Sequence, residues 1–322
     1  MPSPVRLEDR YRLDCSQVLL NGTQALVRLL LLQQARDAAA GVRTRGYVSG
    51  YRGSPLGGLD LQLAAAAAEL TAAGVHFQPG VNEDLAATAI WGTQQVGLLP
   101  GAKVEGVYAL WYGKGPGVDR SGDPIKHANR AGTAAHGGVL AVFGDDHGGK
   151  SSTISHQSDP AMAANGVPVL YPASVQEILD YGLHGWALSR FAGVWVGLKT
   201  VNEIIEATAT VDGAVERVRV TCPDLPEPPG GVGVRAGLDP LGDEMRLVRH
   251  KLPRVHAYVR ANRLDRVTHG AGVVAEWGLV AAGKSWLDTV SALDLLGLGD
   301  EAALRRYRVQ VYKPALITPL EP

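Results

Sequence analysis

Two cysteines in 322 residues, Cys15 and Cys222, are too few to ligate even one four-iron cluster, and they form no metal-ligand spacing. They read as free thiols of a reducing cytoplasm rather than as a disulfide framework. An excess of one charge is also missing. The 31 Lys and Arg against 32 Asp and Glu leave a net charge of −1, without the basic footprint that nucleic-acid binding needs. No apolar run reaches the roughly 18 residues that would span a membrane. The opening stretch from Met1 to Asp14 is too charged for a secretory signal. A cytoplasmic setting with neither nucleic acid nor membrane as partner is expected.

What is present points to an α/β enzyme. Apolar residues make up 46% of the chain, enough for a large core, and 40 glycines supply tight strand-to-loop turns. The length suggests two domains on a prior of about 150 residues each. From Asn21 to about Lys199, helical and strand patterns alternate, the signature of a doubly wound parallel sheet. Asn21 is placed to cap a helix through Arg36. Strands are expected at Arg45–Tyr51, Val75–Phe77, Gly106–Trp111, Val139–Phe143, Val167–Leu170 and Gly193–Leu198. Helices are expected at Leu59–Ala73, Glu83–Leu98, Pro124–Ala135 and from Ser174, where Glu177 completes a capping box. Four successive strands end in polar, glycine-rich loops: GYRGSP, PGVNED, YGKGPGVDRS and GDDHGGKSST. Right-handed crossovers place all four at one edge of the sheet, where such folds bind ligands.

Residues 221–240 read as a Pro/Gly-rich linker. A basic amphipathic helix, about Gly242 to Leu264, follows and reads as a solvated or domain-bridging face. A second α/β unit begins near Gly272, with a strand to Ala282, helices Ser285–Leu296 and Glu301–Tyr307, and a strand Arg308–Ile317. Two strands cannot bury both faces of a parallel sheet, so this unit is expected to need completion from outside the chain. The expected divisions are an arm (1–18), a first α/β domain (19–215), the linker and basic helix (216–265) and an incomplete second unit (266–322).

The phosphate-loop pattern occurs twice, at Gly144–Ser151 and Gly278–Ser285. In the first, Asp145 and Asp146 would point negative charge into an anion cradle. In the second, the variable residues Leu279 to Ala282 continue an apolar strand. A nucleotide hydrolase using Lys150 and Ser151 is therefore a minor alternative. Asp145, Asp146, His147 and His156 could bind a divalent metal or serve in acid–base chemistry. Glu83 stands just past a strand, in the first turn of a helix that continues with Ala86, Ala87 and Ala89, which allow close approach of a ligand or subunit. The helix dipole alone would also favour a glutamate there.

Five ordered motifs carry a resemblance: LLNGTQAL (19–26), SGYRGSPLGGLD (49–60), PGVNEDLAATAIWGTQ (79–94), WYGKGPGVDRSGD (111–123) and FGDDHGGKSSTISHQSD (143–159). Together they resemble the N-terminal portion of indolepyruvate ferredoxin oxidoreductase, in the long fused form of the 2-oxoacid:ferredoxin oxidoreductase family. The likeness continues in HKLPRVHAYVRANRLDRV and WGLVAAGKSWLDTVSALDLLG. It implies that 19–215 is a pyrimidine-binding domain for thiamine diphosphate and that 266–322 begins a transketolase-C-like domain. Glu83 then stands where the family's glutamate hydrogen-bonds the aminopyrimidine, favouring the imino tautomer whose nitrogen takes a proton from the thiazolium. Asn82, Gly53, Ser54 and Pro55 would border the cofactor. Arg52, Ser54, Asp145, Asp146, His147, Lys150 and Ser151 would border the substrate, with Arg52 pairing the oxoacid carboxylate.

The same resemblance implies an aryl 2-oxoacid substrate, coenzyme A as acyl acceptor and ferredoxin as electron acceptor. The family's diphosphate-binding domain with its Mg2+ site, and its iron–sulfur cysteines, do not match any stretch of this chain. A further segment or a partner subunit would supply them, association is expected, and no turnover is expected from this chain alone. The other expectation is a non-catalytic domain that binds a partner through the same cavity.

Overall fold

The computed structural model describes residues 5–98, 100–149, 155–237 and 239–322; Lys150 and Ser151 therefore lie outside the described residues. Strand β1 (Gln17–Asn21) runs directly into α1 (Gly22–Ala39). Asn21 Oδ1 accepts from the Gln24 amide at 2.9 Å while Gln24 Oε1 accepts from the Asn21 amide at 3.0 Å, a reciprocal cap. The central sheet is then laid down by β2 (Thr44–Gly50), α2 (Leu59–Ala65), α3 (Ala67–Ala72), β3 (Val75–Phe77), α4 (Glu83–Thr93) and β4 (Gly106–Lys114). It continues with α5 (Gly115–Arg120), α6 (Gly122–Ala131), β5 (Val139–Asp145), α7 (Asp159–Ala164), β6 (Val169–Leu170), α8 (Val175–Ala192) and β7 (Trp195–Val201).

Strands β2 to β7 pair with one another only in parallel, so their carboxyl ends share one edge of the sheet, as the four glycine-rich loops require. The strands are buried on both faces, which is why β4, β5 and β7 read as apolar runs rather than as alternating patterns. Period-two alternation still sorts the side chains. Tyr108, Leu110 and Tyr112 join the core built on the α1 and α8 face, while Ala109 and Trp111 join the core under α4 and α6. This is the doubly wound α/β arrangement.

Several local expectations are corrected. The segment 112–121 is not a loop: it is the end of β4 followed at once by the short helix α5. The expected arm is tied down. Gln17–Asn21 pairs antiparallel with β8 (Thr208–Asp212), which follows the one-turn helix α9 (Asn202–Ile205). Buried Arg28 donates to the carbonyls of Arg10, Arg12, Cys15 and Gly213.

The basic stretch is solvated on one side, where Arg249, His250, Arg260 and Arg263 are exposed, and bridging on the other. It forms α10 (Pro240–Arg246), a π-helical turn (Leu247–Lys251) and α11 (Leu252–Ala261), with Arg246, Lys251 and Arg254 all buried. Lys251 Nζ donates to the carbonyls of Gly193 (2.9 Å), Arg130 (3.2 Å) and Asn129 (3.4 Å), satisfying the ends of α8 and α6 where a cation suits the helix dipole. Burial pushes its pKa down to about 7. A bracing role between the linker and the first domain is what these cations have.

The last segment contains β9 (Arg266–His269), β10 (Trp277–Val280), α12 (Gly283–Leu295), α13 (Glu301–Tyr307), β11 (Val309–Lys313) and β12 (Leu316–Thr318). β11 lies between β10, parallel, and β9, antiparallel, over a small core of Leu293, Leu304, Val309 and Val311. The single strand expected at 308–317 is two strands with different partners. β12 leaves this sheet and adds antiparallel to β6, becoming an edge of the central sheet. Asp265 Oδ1 fixes the crossing by accepting from the amides of Ala315 (2.7 Å) and Leu316 (2.9 Å). Lys313 Nζ, wholly buried, meets Glu177 of α8 at 2.5 Å and lies 3.9 Å over the Trp286 ring. At the free edge, all four residues of β10 are exposed, Trp277 and Val280 by about two thirds or more (67% and 71%). Among the described residues no helix is long and apolar enough to cross a membrane.

Candidate active site

The carboxyl edge of the central sheet brings the loops after β2, β3, β4 and β5 together. Asn82, extended, caps α4 by accepting from the Leu85 amide at 2.9 Å, which starts the helix with Glu83 as its first residue. Trp111 on β4 donates its indole N–H to the Glu83 carbonyl at 3.0 Å, and Arg120 of α5 pairs with Asp84 at 2.7 Å. These contacts clamp the first turn of α4 between β4 and α5.

Glu83 is 8% exposed, and among the described residues its carboxylate forms no hydrogen bond. The room for it is made by glycine. A Cβ on Gly117 would lie 2.6 Å from Glu83 Oε1 and 2.8 Å from its Cδ; one on Gly113 would lie 3.3 Å from its Cγ. The carboxylate thus has no partner within the described chain, and the glycines beside it leave room for one. The residues present therefore fit a ligand that offers a hydrogen-bond partner to this acid.

The GYRGSP loop folds over the neighbouring strand ends. A Cβ on Gly144 would meet Pro55 at 2.6 Å, and one on Gly53 would meet the Lys114 side chain at 2.7 Å. The peptide between Ser54 and Pro55 is cis. Arg52 is exposed, and its guanidinium forms no hydrogen bond among the described residues. Under this loop, Tyr112 donates its hydroxyl to Asp60 at 2.6 Å; burial, then that carboxylate, raise its pKa well above the usual phenol range.

The third group of expected residues divides. Asp145, last residue of β5, is wholly buried and turned inward. Its Oδ1 accepts from the Ser158 hydroxyl at 2.6 Å, its Oδ2 from the Ser158 amide at 2.9 Å, and Lys199 Nζ lies 3.4 Å away. Lys199 in turn pairs with Asp159 at 2.5 Å. A carboxylate so occupied holds the β5–α7 connection; as a substrate contact, Asp145 is corrected to a structural role. Asp146 is also buried, 3.4 Å from the Asn202 amide, beside Glu203 and Glu206 in a cavity of about 480 Å³. His147 is exposed, and its Nδ1 donates to the His156 carbonyl at 3.1 Å. Among the described residues no three His, Cys, Asp or Glu side chains form a group that could hold a metal ion.

Sequence reasoning undervalued the middle loop. Gly113, Gly115 and Gly117 alternate in it, and two of them admit titratable groups: Gly117 faces Glu83, and Gly115 faces His156, whose Nδ1 would lie 2.1 Å from an added Cβ. His156 Nε2 donates to Asp119 at 2.9 Å. The alternation of glycine in YGKGPG was the available signal.

The second phosphate-loop pattern is filled from within. Gly278 to Val280 are strand β10, the Tyr171 ring occupies the space above Gly283 (2.2 Å from an added Cβ), and Lys284 pairs with Asp288 one turn on.

Comparison with known proteins agrees with this architecture. A family model described as "Indolepyruvate oxidoreductase domain" matches residues 266–322. The chain is similar to indolepyruvate oxidoreductase subunit IorA of Methanothermobacter thermautotrophicus, with 26% identity over 286 residues, covering 87% of this chain and 43% of the relative. It is similar to the same subunit of Archaeoglobus fulgidus, with 29% identity over 203 residues, covering 62% of this chain and 31% of the relative. Residues 266–322 thus match an indolepyruvate oxidoreductase domain, and the chain is similar to IorA subunits at 25–29% identity.

The fold is shared with a solved 2-oxoacid oxidoreductase. The structure of 2-oxoglutarate:ferredoxin oxidoreductase from Magnetococcus marinus, with 2-oxoglutarate, coenzyme A and succinyl-CoA bound, superposes with a TM-score of 0.66 at 14% identity, over 95% of this chain and 55% of that one. The chain spans less than half the length of the curated family relatives it matches.

Proposed function

We propose that this chain is the pyrimidine-side part of a thiamine-diphosphate-dependent 2-oxoacid:ferredoxin oxidoreductase, with Glu83 as its catalytic residue. The observation that supports this most is the Glu83 carboxylate, buried, free of hydrogen bonds among the described residues and seated against Gly117. Thiamine diphosphate, when bound, would supply the nucleophilic thiazolium chemistry that a 2-oxoacid requires. This chain's own part is narrower. Glu83 would hold the aminopyrimidine ring by a hydrogen bond at its carboxylate. Trp111 and the Asp84–Arg120 pair keep Glu83 in place. Asn82, Gly53, Ser54 and Pro55 form the nearby wall.

Arg52, with its guanidinium unengaged, binds and orients the carboxylate of the oxoacid. Asp146 and His147 border the substrate side of the same edge, with Lys150 and Ser151 in the adjoining stretch. The diphosphate-binding half with its Mg2+, the iron–sulfur clusters that deliver electrons to ferredoxin, and the coenzyme A site belong to a further segment or a partner subunit in the cytoplasm. An aryl 2-oxoacid, of the indolepyruvate kind, is the proposed substrate.

Glu83→Gln in the complete enzyme tests the reading. Thiamine-dependent oxidation of the oxoacid should fall by three orders of magnitude or more while association with the remaining part persists. Retention of activity would exclude this function and leave the non-catalytic, partner-binding reading. Decarboxylation by the purified 322 residues alone would overturn the division of labour.

A further inference from the structure

A largely apolar cavity whose lining shares no residue with the strand-end site has no role in the proposed reaction. It measures about 400 Å³, within the range of small-molecule sites. It opens where the last turn of α4, the end of α6 and the linker at Val234–Gly237 meet α10. Trp91 and His127 form one wall, their ring centroids 6.1 Å apart and 30° from coplanar. Gln95, exposed, lines the mouth from the turn after α4, and among the described residues its side-chain amide makes no hydrogen bond within the chain. The two guanidinium groups on the lining are already balanced. Arg130 pairs with Glu244 at 3.0 Å, and Arg235 with Asp243 at 2.9 Å.

These features select among ligands. An aromatic wall calls for a planar ring. Balanced charges on the lining disfavour a ring that is itself ionised. A free carboxamide presents a donor and an acceptor side by side, which matches a base edge carrying an amino group next to a ring nitrogen, as glutamine does when it pairs with adenine. Arg130, paired with Glu244, and Arg235, between Asp243 and Asp239, each keep N–H groups for a sugar hydroxyl or a phosphate at the rim. We propose that this cavity binds an adenine ring, carried by a nucleoside or nucleotide, with Trp91 as stacking surface and Gln95 as the reader of its edge.

This site stands independently of the thiamine reading, because none of its residues belongs to the Glu83 cluster. It is tested by equilibrium dialysis of the purified chain against adenosine, inosine, AMP and coenzyme A. Saturable one-to-one binding of adenosine, with inosine at least tenfold weaker, is expected. Ala131→Leu narrows the cavity without touching either ion pair, and should weaken adenosine at least tenfold. Gln95→Ala should abolish the preference for adenosine over inosine. Tighter binding of AMP than of coenzyme A would assign the site to a free nucleotide, and the reverse order to an adenine-bearing cofactor. Absence of saturable adenosine binding at millimolar concentration, or binding that both variants leave unchanged, would overturn the proposal.

Discussion

Glu83 and Asp145 are two buried carboxylates at the same edge of one sheet, and their surroundings are opposites. Asp145 is satisfied on both oxygens by Ser158 and lies beside Lys199. Glu83 is pressed against glycine and, among the described residues, has no donor at all. Burial alone does not separate a structural acid from a functional one; the accounting of donors does. A satisfied group stabilises its own fold, whereas an unsatisfied one spends stability to be ready for a ligand.

The strongest way to break this comparison is to remove each acid in turn and follow urea unfolding. Asp145→Ala leaves Lys199 facing a smaller share of negative charge in the interior and orphans two Ser158 donors. It should destabilise the chain by about 3 kcal/mol or more. A loss under 1 kcal/mol would show that Asp145 is not the structural member of the pair.

A pH titration of stability sharpens the contrast once a third buried group is subtracted. His184 on α8, bonded through Nδ1 to the Tyr258 hydroxyl at 2.9 Å, has its pKa lowered to about 4, first by burial and then by Arg36. Between pH 6.5 and 4 the unfolded chain binds this proton and the folded chain does not. Stability present above pH 6.5 is therefore lost as pH falls toward 4, by about 3 kcal/mol. His184→Gln should flatten that limb; an unchanged limb would move the acid sensitivity to the carboxylates.

Gly117→Ala acts on the other member. The added methyl would overlap Glu83, and overpacking of this kind costs about 1–3 kcal/mol, offset in part by the better helix propensity of alanine. The reassembled enzyme should lose activity far beyond that stability change, since the carboxylate is displaced. Equal activity would show that the Glu83 position is not critical. The smallest effect is expected from Glu83→Gln, within about 0.5 kcal/mol of the parent in unfolding, since no hydrogen bond among the described residues is broken. A loss as large as that of Asp145→Ala would collapse the comparison.

How much was legible in sequence differs between these regions for a physical reason. The helix start at Asn82–Glu83 and the strand end at Asp145 both follow from local pattern. The partners that distinguish the two acids do not. Ser158 and Lys199 reach Asp145 from 13 residues away and from the adjacent strand β7. The basic stretch at 246–254 shows the same gap. Its periodicity indicated a helix, but the carbonyl groups that bury Lys251 belong to α6 and α8, which no pattern within the helix announces.

Sequence by itself determined the parallel α/β order, the shared edge of four loops and the placement of Glu83 at a helix start. These depend on hydrophobic period, on glycine and on capping, all of which act over a few residues. Tertiary structure decided that β12 completes the central sheet instead of its own unit, that the glycine-rich loop after β4 is a helix seated on Glu83, and that Asp145 faces inward. Those outcomes depend on which distant donors and surfaces meet. That is a matter of three-dimensional packing, which residue order constrains only once the whole chain has folded.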